Sequence, residues 1–407
     1  MQPIYLDHNA TTPLLPEVAD AMAECQSAGF ANPESQHQLG RRARQLLEDA
    51  REGIAENLGA DLSGREPDRL IFTSGGTEAN NLALFGLTGA LSAAPARIII
   101  SSIEHPSISQ PAEFLSRRGW HLNRLPVSRD GVCEKGDILL FKTGPTAARS
   151  NSEKSGMSPF FPLVASVMLA NNETGVIQPI RELAALAHAA GVPLHTDAVQ
   201  AVGKVPVHFR ELGVAAMTVA AHKFHGPRGI GALILHGGVQ LNPLLFGGFQ
   251  QQGLRPGTEP VTLAVGMHAA LRIFAREQTD RCERMTLLRD RLEQSLLTAW
   301  PSAVIHGAAA PRLPNTTCIA FPGLDRQALV MALDLAGVAC STGSACASGS
   351  SEPSPTLVAM GLSDELVGSS IRFSLGATTT TEMIDEAIDR ISNVLEGFRC
   401  RSPRDRL

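Results

Sequence analysis

The sequence predicts an α/β protein built on a mainly parallel β-sheet that helices cover on both faces. Short unbroken apolar stretches alternate with stretches of helical periodicity, and a Gly-rich or polar turn follows the apolar ones. The clearest examples are RLIFTSGGTEANNLALFGL, ARIIISSIEHPSI, VASVMLANNETG, VPLHTDAVQ and AAMTVAAHKFHG. Apolar runs of this kind are typical of strands buried on both sides, and their alternation with helices is typical of parallel sheets.

The composition of the 407-residue chain suits an enzyme of this class and excludes several binding proteins. Charged residues make up 18% and the net charge is -5, so no basic surface for nucleic acid or an anionic membrane is expected. Aromatic residues make up 4%, which leaves few rings for stacking on single-stranded nucleic acid. The length corresponds to two or three domains of about 150 residues each.

The seven cysteines predict a reducing environment rather than a disulfide framework. They are odd in number and scattered, with no Cys-x-x-Cys pair and no Cys/His cluster at zinc spacing. The N-terminal sequence MQPIYLDHNATTPLLPEV lacks the pattern of a signal peptide, and no apolar run is long enough for a membrane span. We therefore expect a soluble, cytoplasmic protein with no metal site of its own.

Two segments outside the strand-helix alternation are informative. Residues 41–59 predict a helix, because their apolar side chains share one face and Gly59 is a common C-cap. After about residue 258 a long helical stretch precedes short strands at NTTCIAF and SIRFSLG and a last amphipathic helix, which predicts a second, smaller α+β domain. The last helix has these residues on one face: Ile384, Ala387, Ile388, Ile391 and Leu395.

Polar residues directly follow five of the predicted strands. In open parallel sheets, ligands bind beyond the carboxyl ends of the strands. We therefore expect these residues to line one site: Thr73 to Thr77, Glu104 and His105, Asn171 to Glu173, His195 to Gln200, and His222 and Lys223.

The residue types in this set match the three reactive groups of pyridoxal phosphate. Gly75 and Gly76 join a strand to a helix, where backbone amides bind phosphate, although a plain tight turn has the same pattern. Asp197 would pair with a protonated pyridine nitrogen, and Lys223 would form a Schiff base with the aldehyde. Taken singly, Asp197 is more typical of a salt-bridge partner and Lys223 of a surface lysine, and only their combination with the phosphate turn indicates the cofactor.

Nine motifs, in chain order from Ile4 to about residue 395, resemble the cysteine desulfurase family. They are YLDHNATTP, TSGGTEANN, EHPSI, LANNETG, HTDAVQ, AHKFHGPRGIGAL, RPGTEP, STGSAC and SIRFSLG. The resemblance implies a class V aminotransferase, a pyridoxal phosphate enzyme of fold type I with a mainly parallel seven-stranded sheet. On this basis we expect a large domain at 14–258 and a small domain formed by 1–13 and 259–407.

The resemblance implies a role for each residue around the cofactor ring. Lys223 holds the cofactor covalently, Asp197 pairs with the pyridine nitrogen, and His105 stacks on the ring. Gln200 and Asn172 are similar to the residues that hydrogen-bond the phenolic oxygen.

The resemblance also assigns the phosphate site and predicts a homodimer. Gly76, Thr77 and His222 are similar to the phosphate contacts of the family. Thr258 is similar to the contact that the neighbouring subunit donates, so a homodimer is expected.

Substrate binding and sulfur transfer are implied by three further residues. Arg372 in SIRFSLG is similar to the arginine that binds the substrate carboxylate, and Asn32 would assist it. Cys346 in STGSAC is similar to the thiol that takes the sulfur, in the subgroup with a long mobile cysteine loop. Cys346 could also contribute a ligand to a cluster on a partner, and Cys340 is a candidate second thiol, although buried cysteines are usually inert.

The chain departs from the family pattern at three places. Ala220 and Ala221 stand where the family usually has a serine that binds the phosphate, which predicts weaker cofactor binding. Gln251 and Gln252 replace a common acidic-basic pair. Residues 132–166 are longer than the family's segment and lack its helix. They are interpreted as a flexible surface insertion, with a partner-binding loop or a stretch translated in a shifted frame as alternatives.

The function implied is the conversion of L-cysteine to L-alanine, with the sulfur left on Cys346 as a persulfide. The acceptor would be an iron–sulfur scaffold or a tRNA-thiolating protein, with no direct nucleic-acid or membrane partner. The alternatives are a selenocysteine lyase, another class V lyase or aminotransferase in which Cys346 has no role, and an inactive partner in a sulfur-transfer complex.

Overall fold

The computed structural model describes residues 2–28, 31–89, 95–133, 162–343 and 352–400. Most of the predicted insertion at 132–166, and Cys346 with most of its loop, lie outside the described residues. In the described part of the chain, no helix is long and apolar enough to cross a membrane.

A seven-stranded sheet forms the centre of the described structure. Its strands are β2 (Arg69–Thr73), β3 (Arg97–Ser101), β4 (His121–Leu125), β5 (Pro162–Ser166), β6 (Leu194–Asp197), β7 (Ala216–Ala220) and β8 (Gly231–Leu235). The spatial order is β2-β8-β7-β6-β5-β3-β4, and β8 alone runs antiparallel to its neighbours. The predicted mainly parallel sheet is thus confirmed, and six of its strands have their carboxyl ends at one edge.

Helices cover both faces of this sheet because both faces carry apolar side chains. Successive strand residues point to opposite faces, and β2 places apolar residues on both. Leu70 and Phe72 of β2 pack in one core, whereas Ile71 between them packs in another. The first core also contains residues of α1 (Pro16–Ser27), α2 (Gln38–Asn57) and α5 (Ile180–Ala189). On the opposite face lie α3 (Gly76–Thr88) and α4 (Pro106–Arg117). The short α6 (Phe209–Leu212) packs against the first core through Phe209.

A smaller part of the structure has its own core. Its elements are β1 (Ile4–Tyr5), β9 (Val304–Ile305), β10 (Thr316–Ala320), α8 (Arg326–Leu335), β11 (Val338–Ala339), β12 (Ser370–Ser374) and α11 (Thr381–Arg399). The strands form the antiparallel sheet β12-β10-β9 and a parallel pair of β1 and β11. The short helices α9 (Pro355–Ala359) and α10 (Asp364–Gly368) precede β12 in the chain, but Leu357 and Val367 of these helices pack in the first core. The predicted strands and last helix of this region are confirmed.

The helix α7 (Val261–Ala299) connects the two cores. Its first half contributes Val261 and Met267 to the large core, and its second half contributes Leu288 and Leu296 to the small one. Ile4 also packs in the small core. The domain boundary at residue 258 stays a prediction, because one continuous helix passes through both cores.

Candidate active site

The polar residues predicted to line one site do follow the strands at the same sheet edge. Thr73 ends β2, Asp197 ends β6, and His222 and Lys223 form a 3₁₀ turn immediately after β7. His105 caps α4 four residues after β3. The shared edge follows from the parallel arrangement of these strands, so the residues converge although up to 150 positions separate them in sequence.

The first turn of α3, with Gly75, Gly76 and Thr77, has backbone amides that open onto a cleft and is called the cradle below. The helix begins at Gly76, and the N-cap Gly75 has φ +154 and no side chain to cap the free amides. A cleft of about 370 Å³ opens at this point, and Thr11, Thr77, His222 and Arg228 are among its lining residues. Free amides at a helix N-terminus favour a phosphate group. Burial, with nearby cations, lowers the pKa of His222 to about 4, so His222 is neutral at neutral pH.

Asp197 is a buried carboxylate that only neutral donors satisfy among the described residues. Its Oδ1 accepts a hydrogen bond from the Val199 amide at 2.9 Å, and its Oδ2 accepts one from Asn80 Nδ2 at 2.6 Å. It is 5% exposed, and no ion pair to it occurs in the described ranges. A buried carboxylate of this kind is strongly stabilised by a cation that binds beside it.

His105 is held in one ring orientation by the start of α4. The Ser107 amide donates to His105 Nδ1 at 3.1 Å, and the Ser107 hydroxyl lies 2.7 Å from the same nitrogen. Because Nδ1 accepts from an amide, the proton of the neutral ring is on Nε2. Burial lowers the pKa of His105, while the charge of Asp197 opposes this effect. Asn80 Nδ2 donates to both Ser107 Oγ and Asp197, so one network fixes the histidine and the carboxylate.

The Lys223 amine is directed at the N-terminal segment of the chain. Its Nζ donates to the carbonyl oxygens of Asn9 and Ala10, at 2.6 and 2.8 Å. Gln200 Nε2 donates to the same Asn9 oxygen at 3.0 Å. Residues 9 and 10, which the sequence analysis did not select, therefore bring Lys223 and Gln200 together.

Arg372 is almost completely buried, with a side-chain exposure of 1%. Its Nη2 forms an ion pair with Asp7 at 2.6 Å, and its Nη1 donates to the carbonyl oxygens of Asn172 and Gly343 at 3.0 and 2.8 Å. The guanidinium lies at the predicted site but is already paired with a carboxylate of the chain. None of the described hydrogen bonds uses the Asn172 side chain, which leaves its amide available to a ligand.

Two of the predicted site residues are not brought to this centre within one chain. Asn32 is exposed, and its side-chain oxygen accepts from the Glu34 amide at 2.9 Å instead of contacting Arg372. Thr258 is also exposed, which accords with the expectation that it serves a neighbouring subunit. Both assignments stay predictions. Burial raises the pKa of Cys340, which disfavours it as the second thiol.

Three comparisons relate the chain to known proteins. A family model described as aminotransferase class-V matches residues 4–386. The chain belongs to the class-V aminotransferase family. It is 40% identical to the cysteine desulfurase IscS of Dictyoglomus turgidum over 98% of this chain and 96% of that protein. It is also 40% identical to an IscS-like cysteine desulfurase of Mycobacterium tuberculosis, over 98% and 97% of the two chains.

A solved structure supports the same family and fold. The NifS-like protein of Rickettsia africae superimposes with a TM-score of 0.84 at 32% identity, and the match covers 97% of this chain and all of that one. The sequence-based prediction of the family and of its α/β fold is therefore confirmed.

The described residues of this class-V aminotransferase fit pyridoxal phosphate. The open amides of α3 suit the phosphate, the buried Asp197 suits a protonated ring nitrogen, and Lys223 suits the aldehyde carbon. Each of the three groups thus has a partner of complementary chemistry at one sheet edge.

Four residues of the site were missed by sequence reasoning. Asn9 lies in the YLDHNATTP motif and Asn80 in TSGGTEANN, so the motifs pointed to the segments without showing which side chain faces inward. Ser107 lies in the EHPSI motif, in the first turn of α4 directly after the N-cap His105, so the motif again indicated the segment and not the side chain. Lys204 gave none, because a lysine in the segment AVGKVP reads as a surface residue, yet it is 4% exposed.

Proposed function

We propose that the protein is a pyridoxal phosphate-dependent cysteine desulfurase, which converts L-cysteine to L-alanine and retains the sulfur on Cys346. The observation that carries the proposal is the meeting of Lys223, the buried carboxylate of Asp197 and the open first turn of α3 at one sheet edge. The relatives named as cysteine desulfurases, and the nine motifs, support this choice of reaction among those of the family.

The residues around the cofactor ring have separate roles in binding and activation. Bound pyridoxal phosphate supplies an electron sink for the negative charge that develops when the substrate Cα–H bond breaks. Asp197 holds a proton on the ring nitrogen and so keeps that sink effective. Lys223 Nζ holds the cofactor, and His105 packs its neutral ring against it, with its remaining proton on Nε2. Gln200 and Asn172 contribute amide donors for the phenolic oxygen.

The phosphate is bound by amides and side chains of three segments. Gly76, Thr77 and His222 line the same cleft, and the first two would donate their backbone amides to the phosphate. His222 would donate a ring N–H to the phosphate, while its Nδ1 lies 3.2 Å from Thr11 Oγ1. Thr258 of a second copy completes the site in this proposal.

Arg372 binds the substrate carboxylate by exchanging one carboxylate for another. Asp7 holds the Nη2 of Arg372 at 2.6 Å, and this ion pair keeps the buried guanidinium neutralised before substrate arrives. The incoming carboxylate takes over part of this pairing, since a guanidinium binds a carboxylate bidentately. The exchange keeps the charge of Arg372 compensated at every stage.

The sulfur is transferred to Cys346 in a step that balances without an external oxidant. The Cys346 thiolate attacks the substrate sulfur, an S–S bond forms, and the C–S bond breaks with its electron pair moving to the substrate carbon. Protonation of that carbon gives alanine, and the persulfide carries the sulfur to an acceptor. An iron–sulfur scaffold or a tRNA-thiolating protein is the proposed acceptor.

A homodimer is part of the proposal, because the segment before Thr258 has an exposed apolar surface. Phe246 is 80% exposed and Phe249 is 93% exposed. Large apolar side chains this exposed mark an interaction surface, and a second copy would cover them while placing Thr258 at its site.

The direct test is alanine production from L-cysteine by protein loaded with the cofactor. We expect turnover in the native protein, none in Lys223→Ala, and loss of cysteine desulfuration in Cys346→Ser. A Cys346→Ser variant with undiminished desulfuration would refute the persulfide route. Faster turnover of L-selenocysteine in the native protein and in Cys346→Ser would favour a selenocysteine lyase. Absence of visible absorption retained by the protein after unbound cofactor is removed would favour an inactive partner.

A further inference from the structure

Lys204 is a buried lysine beneath the candidate active site. It is 4% exposed, and its Nζ donates to Asn9 Oδ1 at 2.9 Å and to Gln200 Oε1 at 2.5 Å. Its pKa lies well below the usual value because of burial, and the nearby charges of Lys223 and Arg372 lower it further. The two hydrogen bonds give two of its N–H groups an acceptor.

Lys204 supplies a donor to the oxygen atoms of two side-chain amides, and at Asn9 Oδ1 it does so together with Asn315 Nδ2, which donates at 3.2 Å. An amide oxygen and nitrogen are nearly the same size, so hydrogen bonds decide the orientation. Because Gln200 Oε1 faces Lys204, its Nε2 faces the Asn9 carbonyl and the site. Because Asn9 Oδ1 faces Lys204, its Nδ2 faces the Asn172 carbonyl at 3.1 Å and Thr316 Oγ1 at 2.9 Å.

Gln200 and Lys223 share one acceptor, the backbone carbonyl oxygen of Asn9. This oxygen accepts from both Lys223 Nζ and Gln200 Nε2. A reversed Gln200 amide would place its oxygen against that carbonyl and remove a donor from the site. Loss of one partner in such a buried network costs more than an exposed hydrogen bond does.

We propose that Lys204 is a positioning residue, which fixes the Gln200 amide so that Gln200 presents a donor to the cofactor, and which also holds the side chain of Asn9, whose backbone carbonyl accepts from Lys223. This inference rests on the proposed function, because it assumes that Gln200 faces the phenolic oxygen of bound pyridoxal phosphate. Lys204 touches neither substrate nor cofactor and acts through the two amides.

The test is the pH midpoint of the cofactor's visible absorption in Lys204→Met. A hydrogen bond donated by Gln200 would stabilise the negative charge on the phenolic oxygen. Its loss would therefore favour protonation of the Lys223 nitrogen that holds the cofactor. The midpoint should rise by about one pH unit, which corresponds to loss of a hydrogen bond to a charged group. An unchanged midpoint would overturn the inference.

A double-mutant cycle separates amide orientation from simple charge. In Gln200→Leu no amide remains to be oriented, so the midpoint should rise in this variant, and adding Lys204→Met should change it no further. An equal further rise in the double variant would show that Lys204 acts by charge, and an unchanged midpoint in Gln200→Leu would overturn the inference as well.

Arg281→Met is the matched control. Arg281 is 2% exposed, lines the same small cavity as Lys204, and donates to Glu277 at 2.6 Å rather than to either amide. Removal of this buried cation should leave the midpoint unchanged, and a rise equal to that of Lys204→Met would contradict the proposed route.

If Lys204→Met does not fold, Lys204→Gln provides the test, because it keeps a neutral donor on a shorter side chain. A smaller rise in the midpoint is expected, and none would overturn the inference. Failure of the native protein to develop visible absorption would instead count against the proposed function, so the two failures are distinguishable.

Discussion

Glu104 provides a sharp prediction about stability, because it is a buried carboxyl group beside the site. Its Oε1 accepts from Ser101 Oγ at 2.5 Å and from the Met168 amide at 2.8 Å, whereas its buried Oε2 has no partner within the described residues. Burial raises the pKa of Glu104 from 4.5 to about 8. The folded protein therefore holds a proton on Glu104 that the unfolded chain releases.

The sign of the effect follows from this difference in proton binding. Between about pH 4.5 and pH 8 the folded state binds more protons than the unfolded state, so the free energy of unfolding falls as pH rises. The slope from one such group is about 1.4 kcal/mol per pH unit, which gives a loss on the order of 3 kcal/mol by pH 7.

Glu104→Gln removes this titration and keeps the oxygen acceptor. We expect the variant to match the native protein near the acid end of the window and to exceed its free energy of unfolding by roughly 3 kcal/mol at neutral pH. Urea unfolding of the cofactor-free proteins across the pH range measures the difference. The control is Glu113→Gln, which makes the same substitution at a partly exposed carboxylate paired with Arg124 at 2.6 Å. A difference for Glu104→Gln that stays constant across the pH range would refute the reasoning, since Glu104 would then be ionised in the fold.

Three further predictions concern binding and assembly. Ala220→Ser should lower the dissociation constant of pyridoxal phosphate about tenfold or more, because a hydroxyl at this position would add a hydrogen bond to the phosphate. The Ala220 Cβ lies 3.4 Å from the position that a Cβ would take on Gly76, in the cradle. Equilibrium dialysis that shows no gain in affinity would contradict this. Arg372→Lys should raise the KM for cysteine more than it lowers kcat, since a lysine cannot bind a carboxylate bidentately; steady-state kinetics with an unchanged KM would count against the assigned role. Phe249→Asp should shift the protein toward monomer in light scattering, whereas Leu335→Asp, an 88% exposed control on α8, should not; an unaltered mass for both would remove the support from Phe249.

The strands and the residues at their ends could be predicted from sequence, whereas the network behind them could not. Asp197 and Lys223 follow buried strands, so strand order alone brings them to one edge. Asn9 reaches the site from the N-terminal segment, and its bond partners are up to 307 positions away, at Thr316. No local pattern encodes such a contact.

Neither the burial of Lys204 nor the domain boundary could be predicted from the sequence, for related physical reasons. The burial of Lys204 depends on packing between elements, and a charged residue type argues against burial until its two amide acceptors are known. The residue pattern changes near residue 258 because α7 begins there. Since that helix contributes to both cores, the change marks the start of a helix and not a domain boundary.

The most direct test of the central claim is mass spectrometry of Cys346 after L-cysteine is added to cofactor-loaded protein. The account predicts that the peptide containing Cys346 gains one sulfur atom, that alanine appears in equal amount, and that both are absent in Lys223→Ala. Alanine formed with no sulfur on Cys346, or in Lys223→Ala at the native rate, would contradict it.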